Sequence, residues 1–337
     1  MRTLINSTAL AVMLLLIGMP APAQLLINGA GATFPYPIYA KWFDEYRKVN
    51  PQAQINYQSI GSGGGIRQLQ AGTVDFGASD SPMTDEQIAQ ANGKVLHFPT
   101  VLGAVVVTYN LAGVKSELSF TPEALAGIFL GTVTKWNDPE IARANPGIRL
   151  PADNMVVVHR SDGSGTTFVW TDYLSKANAA WKSKVGAGNS VNWPVGLGAK
   201  GNEGVSGLVK QTPNAIGYVE LVYAIQNKMS YGKIRNAAGV PVKADLKGVT
   251  AAAASAVVPD DFRVSITNAP GKDAYPISSF TWLLVPARIQ DPQKRKILTD
   301  FLRWMLANGQ KLAEPLGYAP LPKAVVTKEL KAISQIQ

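Results

Sequence analysis

Met155-Val156-Val157-Val158-His159-Arg160-Ser161-Asp162-Gly163-Ser164-Gly165-Thr166-Thr167-Phe168 changes character twice. Met155 to His159 has the apolar, β-branched make-up of a buried strand. Asp162 to Thr167 is a run of small and hydroxyl residues, and a helical pattern follows from Phe168 to Ala177. Strand, polar loop, helix is the repeating unit of an α/β fold, and in open α/β sheets ligands sit where strands end and helices begin. Two other stretches share this make-up, Gly29-Ala30-Gly31-Ala32-Thr33-Phe34 and Gly61-Ser62-Gly63-Gly64-Gly65. A helix start offers unpaired N–H groups and the positive end of the helix dipole, glycine lets a ligand approach the backbone, and hydroxyls add donors. Any one segment alone reads as an ordinary turn and N-cap, the commonest use of Gly, Ser and Thr. Three in one chain predict a tetrahedral anion held by converging helix N-termini.

Working outward, Ile38, Trp42 and Tyr46 recur at helical spacing until Asn50-Pro51, and Ile55 to Tyr57 reads as a short strand. Ile66 to Gln70 continues as helix, and Val74 to Ala78 is a strand ending at Ser79-Asp80. Thr84-Asp85-Glu86-Gln87 is a capping box. Thr121-Pro122-Glu123 and Asp138-Pro139-Glu140 each read as a cap followed by proline at the first helical position. Val101 to Tyr109, Ile216 to Val219 and Phe280 to Val285 are strand-like, Asp245 to Val257 is an Ala-rich helix, and Asp291-Pro292 opens a helix through Ala307. The alternation predicts an α/β protein with mostly parallel sheets.

The ends and the composition set the context. Arg2, the apolar stretch Ala9 to Met19 and the small residues Ala21-Pro22-Ala23 read as a signal peptide, residues 1–23, cleaved after Ala23. Of 337 residues none is cysteine, so disulfides and a lipid-anchored N-terminal cysteine are both excluded. A chain exported with neither is expected to be free in a bacterial periplasm. The formal charge of +9 favours anionic partners. No dense Lys/Arg run is interleaved with aromatics, so nucleic acid is not an expected partner.

Arg160 ends a buried-type strand two residues before Asp162, which places it to give paired donors to an oxyanion while Asp162 orients it. Asp80 should repel an anion. It fits the site only if the ligand carries a proton it can accept; a helix cap or an exposed loop carboxylate remains the alternative. Enzyme chemistry finds little support. There is no GxxxxGK[ST], and neither Ser62 nor Ser164 fits GxSxG, because Ile60 and Asp162 stand two before them. His97 and His159 lack metal-ligand spacing, and His159 is expected on the strand face opposite Arg160. No metal or cofactor is expected. Trp136, Trp181, Trp193 and Trp282 read as packing residues.

These residues resemble the periplasmic phosphate-binding proteins of bacterial ABC-type phosphate uptake systems. The likeness runs through Gly29 to Pro35, Val74 to Asp80, Arg160 to Thr166, Trp193 to Gly198 and Ala215 to Glu220. It implies a two-lobe type II periplasmic binding protein fold with the ligand cleft between the lobes. Position by position it implies Ala32, Thr33 and Phe34 as backbone donors with the Thr33 hydroxyl, and Ser62 as a hydroxyl and N–H donor. It implies Asp80 as acceptor of the phosphate proton, Arg160 oriented by Asp162 as donor, and Ser164, Gly165 and Thr166 as helix-start amides with two hydroxyls. Gly63 departs from a Ser expected there, and His159 from an Arg.

The resemblance further implies crossings near Pro99 to Gly103 and Tyr275 to Ser279. Lobe one is then 24–101 plus 277–337 and lobe two 102–276. A closed, phosphate-loaded monomer docking on a membrane permease is expected. A binding protein for sulfate or molybdate, and a secreted phosphatase, are the competing functions.

Overall fold

The computed structural model describes residues 24–114 and 116–337; the signal-peptide reading falls on residues 1–23, outside them. In chain order the sheet strands are β1 (Leu25–Gly31), β2 (Ala53–Ser59), β3 (Phe76–Ser79), β4 (Val95–Asn110), β5 (Val156–Arg160), β6 (Leu197–Ala199), β7 (Ala215–Glu220), β8 (Ser230–Tyr231) and β9 (Ser278–Pro286). The helices that frame the cleft and its flanks are α1 (Tyr36–Val49), α2 (Ser62–Gln70), α3 (Gly165–Ala177), α4 (Gly201–Gln211), α5 (Leu246–Ala254), α6 (Pro292–Ala307) and α7 (Lys323–Ala332).

The strands are ordered β2-β1-β3-β9-β4-β7-β5-β6, with β8 also on β4. Pairing is parallel among β2, β1 and β3 and among β7, β5 and β6, whereas β9 and β4 run antiparallel to their neighbours. The sheet is therefore mixed, which corrects the mostly parallel expectation. The reason lies in β4, a strand of 16 residues longer than its sequence pattern implied. Val95 to Ala104 pair with β9, and Val105 to Asn110 pair with β7. Pro99 is accommodated because the register slips opposite Thr281/Trp282, leaving Thr100 as an extra residue. The Thr100 hydroxyl donates to the Thr281 carbonyl at 3.1 Å and bonds Tyr39 at 3.0 Å.

Each half of the sheet carries its own aromatic core. In α1, Ile38, Tyr39, Trp42 and Tyr46 form one buried face, and Trp42 Nε1 donates to the Gly309 carbonyl at 2.8 Å. In the other half, Trp170 stacks on Tyr218 with ring centroids 5.0 Å apart. Trp136, Trp181 and Trp282 are fully buried, as packing residues should be. His159 lies flat on Trp193, centroids 4.7 Å apart, on the strand face opposite Arg160. Capping sequences do what their composition implies: Thr84 makes a full capping box, and Thr121, Asp138 and Asp291 accept N–H groups of the first turns they precede.

β1 was not foreseen. Gly29, Ala30 and Gly31 belong to a strand rather than a loop, so the first glycine segment also follows the strand–loop–helix order. A side chain at 29 would run into the Phe76 ring and one at 31 into the Ala78 backbone. Glycine here serves close strand packing.

Candidate functional site

Arg160 ends β5 with its side chain 1% exposed. Its Nε donates to Asp162 Oδ1 at 2.7 Å and its Nη2 to Asp162 Oδ2 at 2.5 Å, a two-pronged contact that fixes the guanidinium plane. The Gly201 N–H also donates to Asp162 Oδ1, at 3.1 Å. Burial pushes the Asp162 carboxyl up, but the Arg160 hydrogen bonds and charge outweigh it and hold it below the usual range. Arg160 Nη1 points away from Asp162, 3.4 Å from the Thr166 hydroxyl.

Two helices begin beside that guanidinium. Ser164 caps α3, its Oγ accepting the Thr167 N–H at 3.0 Å and retaining its own hydrogen to donate. Gly165 and Thr166 open the helix, so no carbonyl a turn earlier takes their amides. Ser62 opens α2 and accepts the Asp80 N–H at 3.2 Å. The two helix starts are packed so closely that a Cβ on Gly165 would overlap Ser62 Oγ and Asp80. Gly61, at φ 88°, precedes α2 in a conformation glycine favours, and a side chain there would strike Asp162.

Asp80 follows β3 directly. It is 1% exposed, and its Oδ1 accepts the Thr281 hydroxyl at 2.8 Å. Burial raises its pKa to about 7, against the lowering effects of the Thr281 bond, Arg160 and Ser62. It is no exposed loop carboxylate.

The loop after β1 closes the fourth side. The Ala32 N–H donates to the Ala78 carbonyl at 2.9 Å, extending the β1–β3 ladder. That corrects the expectation of Ala32 as a donor: its amide is already committed. The Thr33 and Phe34 amides have no protein partner among the described residues. Ala32, Thr33, Phe34, Ser62, Asp80, Arg160, Ser164, Gly165 and Thr166 are all buried, and Asp162 is partly so.

Several groups here escaped the sequence reading. Asn202 Nδ2 donates to Thr33 Oγ1 at 2.7 Å, and Tyr223 OH donates to the Thr33 carbonyl at 2.6 Å. Thr281 reaches Asp80 from β9. The signal for Asn202 was a fourth segment of the same kind, Leu197-Gly198-Ala199-Lys200-Gly201-Asn202, strand then glycine then helix. For Tyr223 and Thr281 there was none, because each arrives from an element distant in sequence.

The constellation is a buried cradle of N–H and hydroxyl donors with a guanidinium fixed by Asp162 and, apart from that pair, the carboxylate of Asp80, suited to an oxyanion bearing a proton. Neither histidine enters it: His97 Nε2 accepts the Met83 N–H at 3.1 Å, and His159 packs on Trp193.

Comparison with known proteins agrees with this architecture. Residues 19–308 match the model of the PBP superfamily domain. The phosphate-binding protein PstS of Xylella fastidiosa (strain Temecula1) is 48% identical over 309 residues, 91% of this chain and 84% of that protein. PstS of Pasteurella multocida (strain Pm70) is 45% identical over 322 residues, 95% of this chain and 92% of its own. In fold, the chain is similar to a phosphate binding protein from Stenotrophomonas maltophilia, with a TM-score of 0.69 and 18% identity over 91% of this chain and 93% of that one. This chain, with its two-lobe α/β fold, therefore belongs to the PBP superfamily and, within it, to the family of PstS phosphate-binding proteins.

Proposed function

We propose that the protein captures inorganic phosphate between its lobes and delivers it to the membrane permease of an ABC importer. The observation that carries this reading is the buried Arg160–Asp162 pair facing two helix N-termini, with Asp80 as the acceptor among donors. Arg160 Nη1, the Ser62, Ser164, Thr33 and Thr166 hydroxyls, and the amides of Thr33, Phe34, Ser62, Gly165 and Thr166 donate to phosphate oxygens. Asp80 takes the ligand's proton in a hydrogen bond. The protein acts as a carrier, not as an enzyme.

The lobes are residues 24–101 plus 277–337 and residues 102–276. The change of partner along β4 at Ala104/Val105 supports that division. The chain is exported, is processed to begin at Gln24, carries no lipid and works in the periplasm as a monomer. No helix among the described residues is long and apolar enough to cross a membrane.

Titration calorimetry with phosphate, sulfate and molybdate tests the ligand, and a chromogenic phosphate ester tests for turnover. Tight phosphate binding without ester hydrolysis is expected; failure to bind phosphate overturns the assignment. The intact mass of the exported protein should correspond to a chain starting at Gln24, and a retained leader would remove the periplasmic placement.

A further inference from the structure

Asn202, the second residue of α4, is completely buried and uses every polar atom it has. Its Oδ1 accepts the Glu220 N–H at 2.9 Å. That bond settles which end of the amide is which, since a reversed side chain would set an NH2 group against an N–H. Nδ2 then holds two hydrogens, one directed to Thr33 Oγ1 at 2.7 Å and the other to Thr166 Oγ1 at 3.0 Å. Each hydroxyl also meets a second donor, the Asn202 N–H at 3.3 Å from Thr33 Oγ1 and Arg160 Nη1 at 3.4 Å from Thr166 Oγ1.

A threonine hydroxyl has one hydrogen and two acceptor positions. Here the acceptor positions of both threonines are taken, and among the described residues neither hydroxyl donates to a protein group. What each has left is its hydrogen.

We propose that Asn202 is a positioning residue that makes the Thr33 and Thr166 hydroxyls obligate donors to the bound anion. The proposal rests on the phosphate reading above. A free hydroxyl could rotate and accept the proton of a protonated oxyanion at any of several places around the ligand. With both threonines locked as donors, Asp80 is left as the group that receives it, so one amide sharpens the reading of the ligand's protonation. Thr33 precedes α1, whereas Asn202 and Thr166 belong to the other side of the cleft. The lock on Thr33 therefore forms only where the two sides meet, tying recognition to closure.

The test is a double-mutant cycle read by calorimetry with inorganic phosphate. Asn202→Ala should weaken binding roughly tenfold or more in the wild-type background. In the Thr33→Val/Thr166→Val background the same change should cost no more than about twofold, since no hydroxyl remains to orient. Equal losses in both backgrounds, with a wild type that binds phosphate, overturn this role alone. A wild type that does not bind phosphate overturns the functional reading and this inference with it. Thermal melts of the ligand-free variants report folding. If Asn202→Ala does not fold, Asn202→Asp replaces it: the carboxylate keeps the Glu220 bond but accepts from both threonines and turns their hydrogens away. Its loss should again shrink in the valine background, and an undiminished loss overturns the proposal.

Discussion

Gly63 and Gly163 meet backbone to backbone across the cleft. The Gly63 N–H donates to the Gly163 carbonyl at 2.9 Å, and a Cβ on Gly63 would stand 3.1 Å from Gly163 Cα. This gives a physical meaning to the glycine found at 63 in place of an expected serine: its absent side chain allows two helix starts to touch.

Gly163→Ala should therefore hinder closure without harming the fold. Its φ lies outside the left-handed region, so alanine meets no backbone strain, but its Cβ would press to 3.2 Å from Gly63 Cα. The ligand-free melting temperature should stay at the wild-type value while phosphate affinity falls several-fold. Small-angle scattering with phosphate present should give a larger radius of gyration than wild type. Unchanged affinity and compaction would show that the glycine contact does not limit closure.

Arg160→Ala removes the one guanidinium in the cradle and leaves Asp162 without its partner. Hydrogen bonds to charged groups are worth about 1.5–3 kcal/mol each, so the loss in phosphate affinity should be at least about a hundredfold. Arg160→Lys should recover little of it, because an ammonium cannot reproduce the two-pronged contact with Asp162. Calorimetry on the two variants gives the answer, and wild-type binding by Arg160→Ala would remove Arg160 from the site.

Asp80 should confer selectivity. At neutral pH phosphate keeps a proton and sulfate has none, so an ionised Asp80 gains an O–H···O bond from the first and meets only another acceptor in the second. An unpaired buried polar group costs about 1–3 kcal/mol, more when charged, which supports at least roughly a hundredfold preference for phosphate. Asp80→Asn should narrow it, since an amide can donate to an unprotonated oxygen. Sulfate binding within tenfold of phosphate by the wild type would discard this role.

The same residue predicts a pH dependence of the ligand-free protein. Burial raises Asp80 in the fold to about 7, so the fold favours its neutral form. Its contribution to stability is complete below the ordinary carboxylate range and is lost as pH climbs from about 4 to about 7, on the order of 4 kcal/mol in all. Asp80→Asn, neutral throughout, should melt higher than wild type at pH 8, with the gap closing towards pH 4. Buried Glu220 and Glu329 are shifted the same way by burial and are common to both proteins; the charge of Asp80 also raises Glu220, so the difference reads Asp80 together with that coupling. Parallel melting curves across that range would contradict it.

Much of the site could be read from the chain because its chemistry is local. Glycines, hydroxyls and an arginine beside a helix start announce themselves within a few residues, as at Arg160 to Thr166. β1 was hidden because Gly29, Ala30 and Gly31 look like loop residues until Phe76 and Ala78 are seen pressing on them. Ala32 was misassigned because nothing in its neighbours reveals that its N–H is spent on Ala78, 46 residues away. The full length of β4 was obscured by Pro99, whose missing N–H matters only once the slip at Thr100 is known. Tyr223 and Thr281 contribute through distant pairings, which short-range pattern does not encode, whereas Asn202 opens a helix after a strand and a glycine, a local pattern that was there to be read.

β4 has a mechanical consequence for the proposed closure. It is buried along nearly its whole length and passes from one half of the sheet to the other without a loop. Such a connection behaves as a torsion bar, not a tether: opening must twist the strand near Ala104 and Val105, where its ladder changes partner. An open form would thereby be confined to a narrow set of orientations. Little freedom remains to be lost when the lobes meet, and ordering costs of that kind are subtracted from affinity. On the proposed closure, a ligand of only a handful of atoms would then lose little of its binding energy to ordering the lobes.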